Sequence, residues 1–320
     1  MGPTLACNIS TASGVLSTVT SRNRWLIGLA LFAVYVIWGS TYLALRYLVE
    51  DFPPFIGNGI RFVLAGFAMF IFLRRRGSPA PTSREWWSAA QIGALLMMGG
   101  VGVVALAEAR GVGSGLAATA VAAMPLWAAL WSGLFGRWPT RLEWLGLAIG
   151  LTGVVILSQE GDFAGNALGI TLMIVAPISW AFGSVWSQRI PLPAGAMATA
   201  TEMAAGGIIL LGVGIARGER FEAAPSLDGW LALLYLITLG SIVAFSAYMY
   251  LLNTVRPALA TSYAYVNPVV AVLLGVTLGS EVLSGQAVVA LPLILGGVAL
   301  VAAAKERTEE DAVRPVPQEA

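Results

Sequence analysis

Residues 125–153 read PLWAALWSGLFGRWPTRLEWLGLAIGLTG, and residues 268–296 read PVVAVLLGVTLGSEVLSGQAVVALPLILG. A single offset of 143 residues aligns the two stretches and places Pro125 on Pro268. The same offset pairs Gly136 with Gly279, Glu143 with Gln286 and Gly153 with Gly296. The chain is therefore an internal duplication, and duplicated sets of apolar helices are typical of membrane transporters.

The composition indicates a protein surrounded by lipid. Hydrophobic residues make up 58% of the 320-residue chain, charged residues make up only 11%, and the mean hydropathy is +0.80. In soluble proteins about a quarter of the residues are charged, so most of this surface must face hydrocarbon. The net charge of +1 gives no indication of nucleic-acid binding. With a single cysteine, Cys7, and no histidine in the sequence, we expect no disulfide framework, no metal site and no cofactor.

Ten apolar runs are candidates for helices that cross a hydrocarbon core of about 30 Å, of which the fifth is short. They are 25–47, 55–73, 87–107, 115–135, 144–158, 167–188, 195–216, 229–252, 258–278 and 286–304. We therefore predict an all-α membrane protein of about ten transmembrane helices, in two five-helix repeats at residues 25–158 and 167–304. Residues 1–24 are expected to form a flexible tail and residues 305–320 a disordered one.

The basic residues predict the orientation, because cytoplasmic loops carry an excess of Lys and Arg. With a cytoplasmic N-terminus, the cytoplasmic segments hold thirteen: Arg22, Arg24, Arg74, Arg75, Arg76, Arg84, Arg137, Arg141, Arg189, Arg256, Lys305, Arg307 and Arg314. The opposite side holds four: Arg46, Arg110, Arg217 and Arg220. Both termini are therefore predicted to be cytoplasmic. Since five helices per repeat is an odd number, the second repeat must be inverted relative to the first.

Two charged residues lie inside the apolar runs, Arg61 in the second and Glu202 in the seventh. An offset of 141 residues equates them. A charged side chain at the centre of a membrane helix costs about 2.5–3.5 kcal/mol on insertion scales, so such residues usually face a cavity or a partner. On this interpretation Glu202 carries protons or contacts a cationic substrate group, and Arg61 attracts a carboxylate. The alternative is that both side chains snorkel to the membrane surfaces.

Aromatic and polar residues near the middle of the runs are candidates for a substrate cavity: Trp38, Tyr42, Trp180, Tyr263 and Asn267. Such side chains can hold amphipathic solutes by stacking and by a few hydrogen bonds. The first and third of them are each followed by Gly and Ser, which is a second trace of the duplication. The alternative interpretation is an interfacial aromatic belt.

The matched prolines Pro125 and Pro268 are candidates for kinks or gating positions. A proline inside a helix removes one backbone hydrogen bond and frees a carbonyl. Membrane helices tolerate this where neighbours or a cavity satisfy the carbonyl. The alternative is that both kinks serve only helix packing.

Four segments resemble the EamA family of the drug/metabolite transporter superfamily. They are IWGSTYLALR at residues 37–46, PPFIGNGIRF at 53–62, ISWAFGSVWSQRI at 178–190 and PALATSYAYVNPVVAVLLG at 257–275. The resemblance extends from about residue 25 to residue 304. It implies ten helices in two repeats around a central cavity, and the export of small metabolites such as amino acids or their toxic analogues.

The sequence thus predicts a secondary active transporter of a bacterial inner membrane, and no enzyme. It would export amino acids, their analogues or drug-like amphipathic compounds by alternating access, with protons as a candidate coupling ion. The alternative is a membrane lipid-handling or sensor protein without solute transport. The expected partners are the small-molecule substrate and membrane lipids, not nucleic acid, and the sequence leaves monomer and homodimer open.

Overall fold

The computed structural model describes residues 24–112, 121–158, 167–278 and 285–313, together with Ala117. These residues contain helices and no strand, which confirms the predicted all-helical class for this part of the chain. The long helices are α1 Arg24–Asp51, α2 Pro54–Arg75, α3 Ser83–Glu108, α4 Met124–Leu134, α5 Arg141–Ser158, α6 Ala167–Trp186, α7 Ala196–Ala216, α8 Leu227–Thr254, α9 Tyr263–Leu278 and α10 Gly285–Val313. A single helical turn, Pro257–Ala260, precedes α9.

Local sequence determines where several of these helices begin. Ahead of α3, the Glu85 carboxylate accepts a hydrogen bond from the Thr82 backbone N–H at 2.7 Å, and Thr82 Oγ1 accepts one from the Glu85 N–H at 3.3 Å. Thr140 and Glu143 form the same reciprocal pair ahead of α5. Such capping boxes satisfy N–H groups that have no partner within the helix, so they mark the first turns of α3 and α5.

Five helices, α1, α2, α3, α7 and α8, are long and apolar enough to cross a membrane. Shorter apolar helical stretches lie at Thr171–Trp186 in α6 and Val288–Val301 in α10. Large hydrophobic side chains such as Phe32, Phe72 and Leu234 are exposed, as expected for surfaces in contact with lipid. The structure therefore has several membrane-crossing helices, while the number ten and the cytoplasmic termini stay predictions.

Helices α2 and α7 occupy corresponding places in the two repeats and pack against each other extensively. Near the start of α2, Ile56 lies against Gly214, and further along α2, Gly66 lies against Ala204. Residue numbers fall along α7 as they rise along α2, so the two helices are antiparallel. Repeats inserted in the same orientation would hold corresponding helices parallel, and this packing therefore supports the predicted inversion.

Helices α5 and α10 form the second pair of corresponding helices in close contact. A Cβ atom on Gly297 would lie 2.6 Å from the Gly146 carbonyl oxygen and 2.6 Å from the Gly150 nitrogen. Further along α5, Gly153 faces Ile294, so these helices are antiparallel as well. The backbones approach this closely only because the contact positions lack side chains.

Three helices contain π-helical segments: Val34–Trp38 in α1, Ala94–Gly102 in α3 and Leu236–Val243 in α8. The segments of α3 and α8 begin 142 residues apart (236 − 94), so they occupy equivalent places in the two repeats. π-Helical turns are rare in proteins, and those that occur are often located at functional sites. Each of the three segments contributes to the wall of the central cavity described below, through Trp38, Gly100 and Gly240.

α4 is preceded by a short break in the helical chain. The sequence favours a helix from residue 115; the described residues Ala117 and Val121 are helical, two turn residues follow at 122–123, and α4 begins at Met124. Residues 113–116 and 118–120 lie outside the described residues. This start places Pro125 in the first turn of α4, where its missing N–H has no intrahelical partner to lose.

The end of α10 also differs from the prediction. The helix continues beyond Ala304 to Val313, so residues 305–313 are helical where a disordered tail is predicted. The sequence KERTEEDA, which begins at Lys305, is rich in strong helix formers that extend the preceding helix. The remaining tail predictions, for residues 1–23 and 314–320, lie outside the described residues.

The predicted topology can be tested with paired reporter fusions. We expect green fluorescent protein to fluoresce, and alkaline phosphatase to be inactive, when either is fused after Arg76 or after Arg256. Both positions follow helices that the distribution of basic residues directs to the cytoplasm. A fusion after Asp51 should show the opposite pattern and serves as the control. Phosphatase activity at Arg76 or Arg256 would contradict the inverted ten-helix topology.

Candidate functional site

A cavity of about 80 Å³ lies between the two repeats, and its walls come from α1, α2, α3, α4, α6, α8 and α9. The five predicted substrate-cavity residues all lie on this wall: Trp38, Tyr42, Trp180, Tyr263 and Asn267. Arg61 lies on it too, whereas Glu202 does not. The fold thus brings together residues from both repeats, and their role in binding a solute stays a prediction.

Four aromatic side chains, Trp38, Trp180, Tyr248 and Tyr263, pack together beside this cavity, and we refer to them as the aromatic cluster. The ring of Trp38 lies at its centre, 4.7 Å from the ring of Tyr263, 5.0 Å from Tyr248 and 5.5 Å from Trp180, centroid to centroid. Trp38 and Trp180 are equivalent residues of the two repeats and meet edge to face. Edge-to-face contacts stabilise aromatic pairs beyond their buried area, so the cluster joins the repeats.

The π-helical segment of α8 orients both the aromatic cluster and Arg61. The Trp38 indole N–H donates to the Gly240 carbonyl oxygen at 2.9 Å, and the Arg61 Nε–H donates to Ser241 Oγ at 2.8 Å. A Cβ atom on Gly240 would lie 3.2 Å from Arg61 Nη2 and 3.1 Å from Thr41 Cγ2. Glycine at position 240 therefore leaves room for the guanidinium.

Arg61 is buried, with 5% of its surface exposed. Besides Ser241, its guanidinium has a long contact of 3.4 Å with Asn58 Oδ1, and it lies 4.5 Å from the centroid of the Phe62 ring. All of these neighbours are uncharged, and among the described residues no carboxylate lies within ion-pair distance. Burial inside the protein favours the cavity interpretation of Arg61 over snorkelling, and its role stays a prediction.

Asn267 contributes an amide to the cavity wall. Its side-chain oxygen and nitrogen are both buried, and neither has a hydrogen-bond partner. The Tyr42 hydroxyl lies nearby without forming a well-aligned hydrogen bond to the amide. Because most buried polar groups in proteins are hydrogen-bonded, an amide without a partner on a cavity wall is available to a bound solute.

A second cavity, of about 570 Å³, lies at the ends of α4, α6 and α8. Its wall includes Gln188, Leu252, Arg137 and Arg256. Arg256 forms an ion pair of 3.0 Å with Glu143, whose side chain is almost fully buried. This ion pair ties the start of α5 to the turn ahead of α9, and therefore one repeat to the other.

Ser184 and Tyr248 lie along the chain between residues that line the two cavities. On α6, Trp180 lines the central cavity and Ser184 follows one turn later, while Gln188, just beyond the end of the helix, lines the second cavity. At the level of Ser184, its hydroxyl and that of Tyr248 are 2.6 Å apart, and the Trp180 indole N–H donates to the Tyr248 hydroxyl at 3.1 Å. We refer to Ser184 and Tyr248 as the barrier layer; at the helical rise Ser184 lies about 6 Å along α6 from Trp180.

Two buried glutamates that have no hydrogen-bond partner, Glu108 and Glu202, lie outside the wall of the central cavity. Glu202 is fully buried, and neither of its carboxylate oxygens has a hydrogen-bond partner. It lies within electrostatic range of Tyr248 in the barrier layer. This placement is contrary both to snorkelling and to direct contact with a solute in the central cavity. Its predicted role in proton coupling is untested by the geometry.

Glu108 is a second buried carboxylate without a hydrogen-bond partner, and sequence analysis missed it. It is the last residue of α3 and lies within electrostatic range of Tyr42 and Arg46. The predicted third helix ends at residue 107, which assigns Glu108 to a loop. The sequence offered one signal, a hydrophobic run that ends on a single glutamate. However, the end of a helix cannot be predicted from sequence with a precision of one residue.

The matched prolines occupy different environments. Pro125 lies in the first turn of α4, directly after the two turn residues at 122–123, and its role as a kink or gating position stays a prediction. Pro268 lies inside α9, directly after Asn267 of the cavity wall. It has no N–H to donate to the carbonyl of Ala264. Only the second proline therefore interrupts a described helix beside the cavity.

Antiparallel repeats of apolar helices around a central, partly polar cavity define a solute transporter of the inverted-repeat class. Comparison with protein families gives the particular group: the EamA-like transporter family matches twice, at residues 25–159 and 167–303. The chain belongs to the EamA-like transporter family. It is accordingly a multi-pass transporter of the inner membrane and not an enzyme.

Two relatives and one solved structure illustrate the similarity. The chain is 50% identical over 286 residues to "Uncharacterized inner membrane transporter YedA" of Escherichia coli strain K12, with 89% of this chain and 94% of that protein covered. It is 24% identical to "Probable amino-acid metabolite efflux pump" of Salmonella typhimurium strain LT2, with 85% and 93% covered. A crystal structure with 23% sequence identity superposes with a TM-score of 0.72 over 88% of this chain and 98% of that one, so the fold is shared.

Proposed function

We propose that this transporter exports small organic metabolites from the cytoplasm by alternating access. The observation that supports this most strongly is the central cavity, whose wall comes from both repeats, with the hydrogen-bonded pair Ser184 and Tyr248 between it and the residues of the second cavity along the chain. Inverted repeats can exchange conformations around such a site and open it to one side at a time. Breaking the contact between Ser184 and Tyr248 would connect the two cavities.

The direction of transport is proposed from the charge distribution. Arg137 and Arg256, on the wall of the second cavity, belong to segments that the basic residues assign to the cytoplasm. On this assignment the second cavity is a cytoplasmic vestibule, from which a solute passes the barrier layer into the central cavity. The relative named as an efflux pump agrees with export.

The candidate substrates are amino acids, their analogues and other amphipathic compounds of similar size. The aromatic cluster offers ring faces to an apolar part of the solute, and Asn267 offers an amide to a polar part. The name of the same Salmonella relative mentions an amino-acid metabolite, which supports this class of substrate.

Protons are the proposed coupling ion, and Glu202 is the proposed carrier. A carboxyl group that is fully buried without a hydrogen-bond partner is costly to ionise, and a water-filled conformation would remove that cost. Its proximity to Tyr248 would connect its charge to the barrier layer. Binding and release of a proton could thereby accompany opening and closing.

The decisive experiment measures flux of a mixed metabolite pool into proteoliposomes by mass spectrometry, with and without an imposed pH gradient. Accumulation of particular solutes against their gradient would establish proton-coupled transport and identify the substrate. Equilibration without accumulation would retain transport and reject proton coupling. Folded protein that gives no flux of any solute would contradict the proposal and favour a lipid-handling or sensor role.

A further inference from the structure

The central cavity has a net positive wall. Among the described residues that line it, Arg61 is the only charged one. The two embedded glutamates, Glu108 and Glu202, do not line it. The protein therefore holds a buried cation at the cavity with only neutral groups around it.

Such an arrangement is unfavourable for the empty protein. A buried charge without a counter-charge loses its hydration, and a single neutral hydroxyl restores only a part of it. The Nε–H of Arg61 is used by Ser241, and the remaining four N–H groups have only the long contact with Asn58 in the described structure. A guanidinium offers paired N–H donors that match the two oxygens of a carboxylate.

We infer that the central cavity binds the carboxylate of its solute at Arg61, so that the transported substrates are small organic acids, including zwitterionic amino acids. This inference rests on the proposed transport function and specifies its substrate class. The bound carboxylate supplies the counter-charge that the described residues lack at this position. A neutral or purely cationic solute would leave the guanidinium unpaired and would bind less tightly.

Two further features fit a solute with one anionic end. The unpartnered amide of Asn267 provides a second polar anchor on the same wall, and the ring of Trp38 provides an apolar surface between the repeats. Arg137 and Arg256 line the second cavity, and only the latter has an ion-pair partner shown, Glu143. Positive charge along both cavities would raise the local concentration of anionic solutes.

Binding is tested first, independently of flux, on the purified protein in detergent. The probes are carboxylic acids paired with their primary amides: 3-phenylpropionate with 3-phenylpropionamide, and L-phenylalanine and L-leucine with their amides. We expect at least one acid to raise the unfolding temperature and to bind at least tenfold more tightly than its amide. Arg61→Gln should abolish this preference, and Arg61→Lys should retain part of it because the charge remains. Arg75→Gln, an exposed arginine of the same helix, is the control and should behave as the wild type.

Flux is the second measurement, and it distinguishes failure of the carboxylate site from failure of the proposed transport function. In proteoliposomes loaded with a mixed metabolite pool, the transported solutes should carry a carboxylate, and Arg61→Gln should lower their flux at least tenfold. Transport of neutral or cationic solutes only, with Arg61→Gln unchanged, would overturn the carboxylate site and leave the transport function standing. If Arg61→Gln does not fold, the test is read from Arg61→Lys, which should bind the acid less tightly than the wild type does while still preferring the acid to its amide. If none of the acids binds more tightly than its amide, the inference is contradicted, whatever the flux measurement shows.

Discussion

Glu202→Gln is expected to abolish accumulation driven by a pH gradient and to leave passive exchange of the same solute in place. Glutamine has nearly the same shape as the glutamate side chain but cannot take up or release a proton. Glu202 is fully buried and has no hydrogen-bond partner for either oxygen, so an isosteric neutral group should be accommodated without loss of the fold. The measurement is uptake into proteoliposomes with and without an imposed gradient.

The control for this prediction is Glu50→Gln. Glu50 is an exposed carboxylate that forms only a surface pair of 3.4 Å with Arg46, and such pairs contribute little. Gradient-driven uptake should be unaffected in this variant. Full gradient-driven uptake by Glu202→Gln would remove Glu202 as proton carrier, and loss of passive exchange together with driven uptake would assign it a structural role.

Gly297→Ala is expected to destabilise the protein by about 2 kcal/mol or more, since overpacking a tight contact typically costs about 1–3 kcal/mol. The new methyl group would meet the Gly146 carbonyl oxygen and the Gly150 nitrogen of α5, both at 2.6 Å. These are backbone atoms and cannot rotate away as a side chain can. Helices α5 and α10 would therefore have to move apart along their length.

The neighbouring residue provides a matched control. A Cβ atom on Gly296, in the same helix, would have nothing within 4 Å. Gly296→Ala should therefore be neutral or should stabilise the helix by up to about 1 kcal/mol, because alanine loses less backbone entropy than glycine. The unfolding temperature of both variants in detergent gives the comparison. Equal temperatures for the two would show that the close α5–α10 contact is absent from the protein in detergent.

Much of the site was predictable because the cavity residues share a simple property. Trp38, Trp180 and Asn267 are polar or amphipathic residues in the middle of apolar runs, where lipid-facing positions would be purely hydrophobic. The duplication also marked Trp38 and Trp180 as equivalent. That these two rings touch at the junction of the repeats required the packing of all the helices.

Other features were beyond sequence analysis for identifiable reasons. Tyr248 was not singled out, because its role depends on contacts with Ser184 and Trp180 on another helix. Arg61 and Glu202 looked equivalent by offset, yet only Arg61 lies on the cavity wall. The rotation of a helix about its axis decides such differences, and in an apolar helix the sequence pattern does not report that rotation clearly.

The sequence by itself determined the membrane class, the duplication and the expected odd number of helices per repeat, because apolar length, repetition and the positions of basic residues are properties of the chain alone. The tertiary structure decided that corresponding helices are antiparallel and that Ser184 and Tyr248 are hydrogen-bonded to each other. It also decided that Arg61 is buried on the central cavity wall with no carboxylate within ion-pair distance among the described residues. These properties depend on contacts between residues far apart in the chain, and such contacts arise only when the helices pack.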